Sequence, residues 1–280
     1  MTKRQPREAA TATASDLLLS DDELDAYLRF LEVDGRPAPT VATLRLLHRE
    51  QLRRVRFENS SVLRGEPIIL DASALVDKIV RRHRGGFCYE LNGAFAALLR
   101  SLGFRVDLLA ARVYGEGGVL GPPFDHLCLR VTLPEGPFLA DVGFGYSFVE
   151  PLRLVLDAEQ VDATGRFRLV AVSGAEGGTP DGEGIEIEWL HSGGVWRPHF
   201  RFDLVPHELW EYEETSRFHQ TSPESPFPRD WVCAAWTGDG WATLDGRRFV
   251  RSDGSGIVER RQVSEDDLGE ILARWFGVKG

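Results

Sequence analysis

Apolar positions repeat with a helical period over roughly the first hundred residues and with a strand period over most of the remaining chain. In LSDDELDAYLRFLEV, Leu24, Tyr27, Leu28 and Leu31 form one stripe, and Ser20 with Glu23 makes the S-x-x-E signature of a capped helix start. GRPAP at 35–39 breaks that helix, and Thr40 caps a second one with Leu44, Leu47 and Leu52 turned inward. Asp71 caps a third, in which Leu75, Ile79 and Val80 recur at helical spacing. A fourth runs from about Cys88 to Ser101 with Leu91, Phe95, Leu98, Leu99 and Leu102 on its buried side, and Gly103 ends it. The period then changes. FRVDLLAARVYG, FDHLCLRVTL, GPFLADVGFG, PLRLVL, GRFRLVAV, GIEIEWL and GVWRPHFRF read as strands. PHELWEYEETSRFHQ at 206–220 reads as a helix, and four further short strands precede a capped terminal helix in SEDDLGEILARWFG. The Gly-rich stretch 173–184 reads as a surface loop and residues 1–15 as a mobile tail. A helical bundle thus precedes a mostly β region and a smaller mixed one, which is an α+β chain.

Composition narrows the function. With 280 residues, 42% hydrophobic and 27% charged, the chain is an ordinary globular protein of about two domains. A formal charge of −10 argues against a non-specific nucleic-acid binder. No apolar run approaches the roughly 20 residues of a membrane span, and LLL at 17–19 is too short for a signal peptide. The three cysteines, Cys88, Cys128 and Cys233, are widely spaced without metal-site spacing, which fits a reducing cytoplasm and neither a disulfide framework nor a metal centre. No phosphate loop or dinucleotide fingerprint is present.

Cys88 carries the chemistry. It follows Gly85, Gly86 and Phe87 at the expected first turn of a helix, where the positive end of the helix lowers a thiol's pKa, and Arg84 adds a cation. A lone Cys is also a good small core residue, so a nucleophile needs a base. In FDHLCLRV, His126, Cys128 and Arg130 share one strand face, and Leu127, Leu129 and Val131 the other. A hairpin with its loop at 132–135 pairs Val131 with Gly136 and places His126 opposite Asp141, although a one-residue slip would separate them. A thiol, an imidazole and an orienting carboxylate are the requirements of acyl transfer. Taken singly, a strand His reads as a core residue and an Asp before Gly as a turn residue. The other histidines are weaker candidates: His48 sits in a helix interior, His83 in a basic run, and His191, His199, His207 and His219 in surface-like or C-terminal segments.

VRFEN at 55–59, RGGFCYELN at 84–92, DHLCLRV at 125–131 and LADVGFG at 139–145, with TSPESPF at 221–227 as a weaker match, resemble the arylamine N-acetyltransferase family. The resemblance spans about residues 20 to 275 and implies a helical bundle (16–103), an antiparallel β-barrel (104–205) and an α/β lid (206–280), with a cysteine-protease-like arrangement of the three groups. It implies a ping-pong reaction in which Cys88 takes an acetyl group from acetyl-coenzyme A and passes it to an arylamine, arylhydrazine or arylhydroxylamine, with His126 and Asp141 completing a triad. It implies no metal, a cytoplasmic enzyme of xenobiotic metabolism, and small-molecule partners rather than nucleic acid or membrane. Phe57, Tyr89 and Phe144 match family positions that contact the acceptor; Tyr146, Phe148 and Phe227 are further candidates for the cleft lining. Backbone N–H groups near Cys88 are the expected oxyanion donors. The chain departs from the family pattern at Arg56, where Pro is usual, at Tyr146, where a small residue is common, and at Phe124-Asp125 before the His. These leave acceptor preference open. Three alternatives remain on the sequence alone: an amide synthase that closes macrolactams from a carrier-bound polyketide with the same triad, a cysteine hydrolase of papain or transglutaminase type, and a non-catalytic binding protein on the same fold.

Overall fold

The computed structural model describes residues 17–173, 183–191, 194–253 and 256–278. The expected tail and most of the Gly-rich loop lie outside them.

Each expected helix of the first hundred residues is present. Helix α1 (Asp21–Phe30) starts at Ser20, whose hydroxyl and the Glu23 carboxylate cap each other's backbone. Helix α2 (Val41–Arg54) starts at Thr40, whose hydroxyl accepts from the Thr43 N–H. A short α3 (Ser60–Leu63) follows, and then α4 (Ala72–Val76), capped by Asp71. Residues Asp77–Arg81 continue α4 as a π-helical turn that the spacing does not predict. The wider turn buries Ile79 and Val80 together and turns Lys78 inward to Glu90. Helix α5 (Cys88–Ser101) is buried along almost its whole length.

The β region forms an eight-stranded antiparallel sheet: β2 (Arg105–Val113), β3 (His126–Leu133), β4 (Gly136–Ala140), β5 (Leu152–Arg153), β6 (Gln160–Asp162), β7 (Gly165–Ser173), β8 (Glu183–His191) and β9 (Val195–His207). Their spatial order is β5-β4-β3-β2-β9-β8-β7-β6. The two edges nearly close the sheet into a barrel. The Gln160 amide donates to the Arg153 carbonyl and accepts its N–H, and Leu156 bridges to Leu169. Two cores result. Leu127, Leu129 and Val131 face α5 and the other helices, while Leu109, Cys128, Phe167 and Phe200 fill the barrel.

The hairpin register differs from the sequence-based expectation. The loop is two residues, Pro134-Glu135, so Leu133 pairs with Gly136 and Leu129 with Ala140. This is a slip of two residues, which keeps every side chain on its expected face. Strand β4 then ends, and Asp141 reaches His126 from just beyond the ladder rather than as a cross-strand partner.

A second sheet carries β10 (Val232–Trp236), β11 (Trp241–Asp245), β12 (Arg248–Asp253) and β13 (Gly256–Gln262), and packs on α7 (Glu265–Phe276). Before it, the stretch read as one helix divides into the end of β9, a 3₁₀ turn (Leu209–Tyr212) and α6 (Glu213–Thr221). The edge of the second sheet is a two-residue strand from the helical region, β1 (Phe57–Glu58), which pairs with β10. On its other side β1 meets the segment leading to Cys88: Glu58 N–H donates to the Gly86 carbonyl at 3.0 Å. Gly85 is needed there, because a Cβ would lie 2.2 Å from the Arg56 carbonyl oxygen.

Candidate active site

Three elements converge on one buried point. Cys88 is the first residue of α5, His126 the first of β3, and Asp141 the first after β4. Each is almost fully buried, at 5%, 2% and 2% exposure. The Asp141 Oδ2 accepts from His126 Nε2 at 2.7 Å. The imidazole and the Cys88 sulfur lie close enough for each to shift the other's pKa, and with Nε2 taken by Asp141 it is Nδ1 that is left for the sulfur. The backbone of Leu127 is a further influence that favours the Cys88 thiolate.

The electrostatics follow from burial and this chain of contacts. Burial opposes a charge on His126, but the Asp141 carboxylate, its hydrogen bond and the Cys88 sulfur outweigh it and push the imidazole up to about 10. Burial likewise opposes a charge on Asp141, yet His126, the Asn92 amide and the Gly143 N–H hold its carboxyl below the usual range. At neutral pH the pair is therefore imidazolium and carboxylate. The thiol expectation needs correction. Burial is the largest influence on Cys88 and raises its pKa, while His126 pulls it back down. His126 is thus the main influence on the sulfur that opposes burial, beside its place at the start of α5.

The carboxylate is held from three sides. Asn92, one helical turn after Cys88, donates to Asp141 Oδ1 at 2.8 Å and to the Leu127 carbonyl at 2.6 Å, and its own oxygen accepts the Val142 N–H at 2.9 Å. The Gly143 N–H donates to Oδ1 at 2.9 Å. Gly143 also lies against α5, where a Cβ would sit 2.9 Å from Cys88 Cα and 2.7 Å from Asn92 Nδ2. Sequence reasoning singles out neither residue. The i, i+4 spacing of Cys88 and Asn92 is the available signal for one of them.

The candidate lining residues divide into groups. Phe144 meets the His126 ring edge-on at 5.4 Å and Tyr146 at 5.8 Å; Tyr146 is 45% exposed, at the barrel mouth. On the lid side, Phe227 packs against Phe57 and Phe87, and Phe87 against Tyr89. The Tyr89 hydroxyl donates to the Phe124 and Asp125 carbonyls. Phe148 stands apart: it is fully buried in the barrel core between His48 and Phe167. A second imidazole–carboxylate contact, His219 Nε2 to Asp125 Oδ1 at 3.1 Å, ties α6 to the loop before β3.

Chemically, a buried sulfur beside an oriented imidazolium is the apparatus of covalent acyl transfer. The comparisons with known proteins agree. The family model described as N-acetyltransferase matches residues 40–279. The chain is 32% identical over 259 residues to the arylamine N-acetyltransferase pineal gland isozyme of Gallus gallus, covering 86% of this chain and 88% of that one. It is 31% identical to the arylamine N-acetyltransferase of Escherichia coli, over 91% and 88% of the two chains. Among solved structures, the arylamine N-acetyltransferase of Mycobacterium abscessus superposes with a TM-score of 0.85 at 30% identity, over 97% of this chain and 95% of that one. The Mycobacterium marinum enzyme in complex with CoA gives 0.79 at 30% identity, over 91% and 92%. The chain belongs to the arylamine N-acetyltransferase family.

Proposed function

We propose that the protein moves the acetyl group of acetyl-coenzyme A to the nitrogen of an arylamine or arylhydrazine by a ping-pong reaction through acetyl-Cys88. The observation that carries this reading is the buried convergence of Cys88, His126 and Asp141 beside the Phe144 ring, with Asp141 hydrogen-bonded to His126 and His126 electrostatically coupled to the Cys88 sulfur.

In the first stage the Cys88 sulfur attacks the thioester carbonyl, the bond from that carbon to the coenzyme sulfur breaks, and the departing thiolate takes the His126 proton. In the second stage the amine attacks acetyl-Cys88, the cysteine sulfur leaves, and His126 accepts the proton released by nitrogen. Asp141 keeps the proton on Nε2, so that Nδ1 can alternate between donor and acceptor toward the sulfur. As the first residue of α5, Cys88 presents an N–H outside the helix's own hydrogen-bond ladder, a donor suited to the developing oxyanion. An arylamine suits the second stage because its nitrogen is largely neutral at pH 7 and still nucleophilic. The rings of Phe144, Tyr146 and Phe227 offer its aromatic body an apolar seat, which also disfavours water as the acceptor.

The three cysteines are free and buried, which suits a reducing cytoplasm, and acceptors of the xenobiotic kind fit the cleft's aromatic character. Among the described residues no helix is long and apolar enough to cross a membrane. The test is to mix the protein with acetyl-coenzyme A alone. One acetyl mass is expected on the wild type and none on Cys88→Ala, and release of further coenzyme A should require an aromatic amine. Acetyl uptake by Cys88→Ala, or amine-independent turnover at the full rate, would overturn the proposal.

A further inference from the structure

The buried His48 has no part in the chemistry above, yet it touches the segment that carries that chemistry at both ends. It lies on α2 with no exposed surface. Its Nε2 accepts the backbone N–H of Asp141 at 3.1 Å, and its Nδ1 lies 3.0 Å from the carbonyl oxygen of Val149. A carbonyl can only accept, so Nδ1 carries the proton and Nε2 the lone pair. One neutral tautomer therefore satisfies both contacts. The ring stacks on Phe148 and meets Phe95 edge-on, each at 5.9 Å. Burial, the largest influence, pushes its pKa down to about 4 against the carbonyl of Val149 and the charge and backbone of Asp141. Helix α2 holds the far end of the segment again through Arg45 and Arg49, which pair with Glu150 at 3.3 Å and 3.0 Å. Between the two clamped ends lie Asp141, Gly143, Phe144 and Tyr146.

We infer that His48 is a positioning residue that fixes residues 141–149 from both ends, so that one neutral imidazole sets both the Asp141 carboxylate behind His126 and the Phe144 ring beside it. The inference rests on the reading of Cys88 as the acetyl carrier. It predicts that the two ends can be separated by substitution. A glutamine oxygen reaches the place of Nε2 and can accept the Asp141 N–H, whereas an asparagine amide reaches the place of Nδ1 and can donate to Val149.

The two stages of the reaction are measured separately. With acetyl-coenzyme A alone, His48→Gln should take up acetyl within about threefold of the wild-type rate, and His48→Asn should be slower by roughly ten- to a hundredfold, the scale set by a displacement of about 1 Å. With an arylamine added, His48→Gln should show a raised acceptor KM, because its Val149 contact is lost and the Phe144 loop is free at that end. Two variants that acetylate at the wild-type rate, or that slow by one common factor with one common fall in Tm, would overturn the inference and leave His48 as packing. Should neither variant fold, nitrogen-15 spectra of the wild-type imidazoles decide. A neutral histidine protonated at Nδ1, silent between pH 5 and 8, is expected at His48, and an Nε2-protonated or titrating His48 would refute the clamp. Acetyl uptake by a Cys88→Ala control would overturn the carrier reading instead.

Discussion

Replacing Asp141 by asparagine tests the mechanism at the point where its geometry is most constrained. Oδ1 receives two donors, Asn92 Nδ2 at 2.8 Å and the Gly143 N–H at 2.9 Å, while Oδ2 receives His126 Nε2 at 2.7 Å. Asparagine has one oxygen. Keeping it at the two-donor position turns the NH₂ toward His126, so Nε2 must become an acceptor. The ring proton then moves to Nδ1 and points at the sulfur, which loses its base. The energetic scale follows from the imidazole, which Asp141 helps to raise from 6.5 to about 10 against the opposing effect of burial. That net rise, to which Cys88 also contributes, corresponds to roughly 4–5 kcal/mol at about 1.36 kcal/mol per pKa unit, and losing Asp141's part of it together with the correct tautomer should slow acetyl uptake on the order of 10³–10⁴. The assay is the rate of acetyl uptake at Cys88 followed by mass spectrometry from pH 6 to 10, with circular dichroism to confirm the fold. A variant within tenfold of wild type across that range would refute the reasoning and make Asp141 a purely structural residue.

Other outcomes rest on the same geometry. Gly143→Ala places a Cβ within 3.0 Å of Asn92 and of the Cys88 backbone, so it should cost about 1–3 kcal/mol in urea unfolding and slow acetyl uptake by about 10²-fold; unchanged values would show that the loop yields freely. Iodoacetamide at neutral pH should label Cys88 well before Cys128 or Cys233, both of which burial holds above the ordinary thiol range without a neighbouring imidazolium; equal labelling of the folded protein would contradict activation by His126. Because His126 is raised in the folded state, its stabilisation is present in full below about pH 6.5 and is lost as the pH climbs through about 10, so urea midpoints should fall across that window in the wild type and much less in Asp141→Asn.

Much of this was legible in the residue pattern because local rules decided it. The Ser20, Thr40, Asp71 and Ser264 caps stand where the sequence places them, and α5 runs from Cys88 to Ser101 as its apolar stripe requires. The face of β3 that carries His126 followed from alternation alone and survived a two-residue slip in register. What escaped depended on distant contacts. The π turn at Asp77–Arg81 accommodates Lys78 beneath α5, where it pairs with Glu90 at 2.6 Å, a partner twelve residues away that no local period announces. His48 shares the buried stripe of Leu44, Leu47 and Leu52, but its partners Asp141 and Val149 lie about a hundred residues on. Strand β1, two residues long, is too short for any alternation to mark it.

That short strand has a consequence for how the molecule is made. Phe57 and Glu58 hydrogen-bond on one side to the run preceding Cys88 and on the other to Ala234 and Cys233. A ribosome therefore delivers the first partner some 175 residues before the last. Until the final sheet arrives, the backbone beside Gly86 keeps an unpaired edge and the aromatic wall lacks Phe227. A nascent chain stalled short of residue 230 would carry the Cys88 sulfur without its enclosure, and splitting the gene between the helical region and the final sheet would leave each fragment missing a strand that only the other supplies.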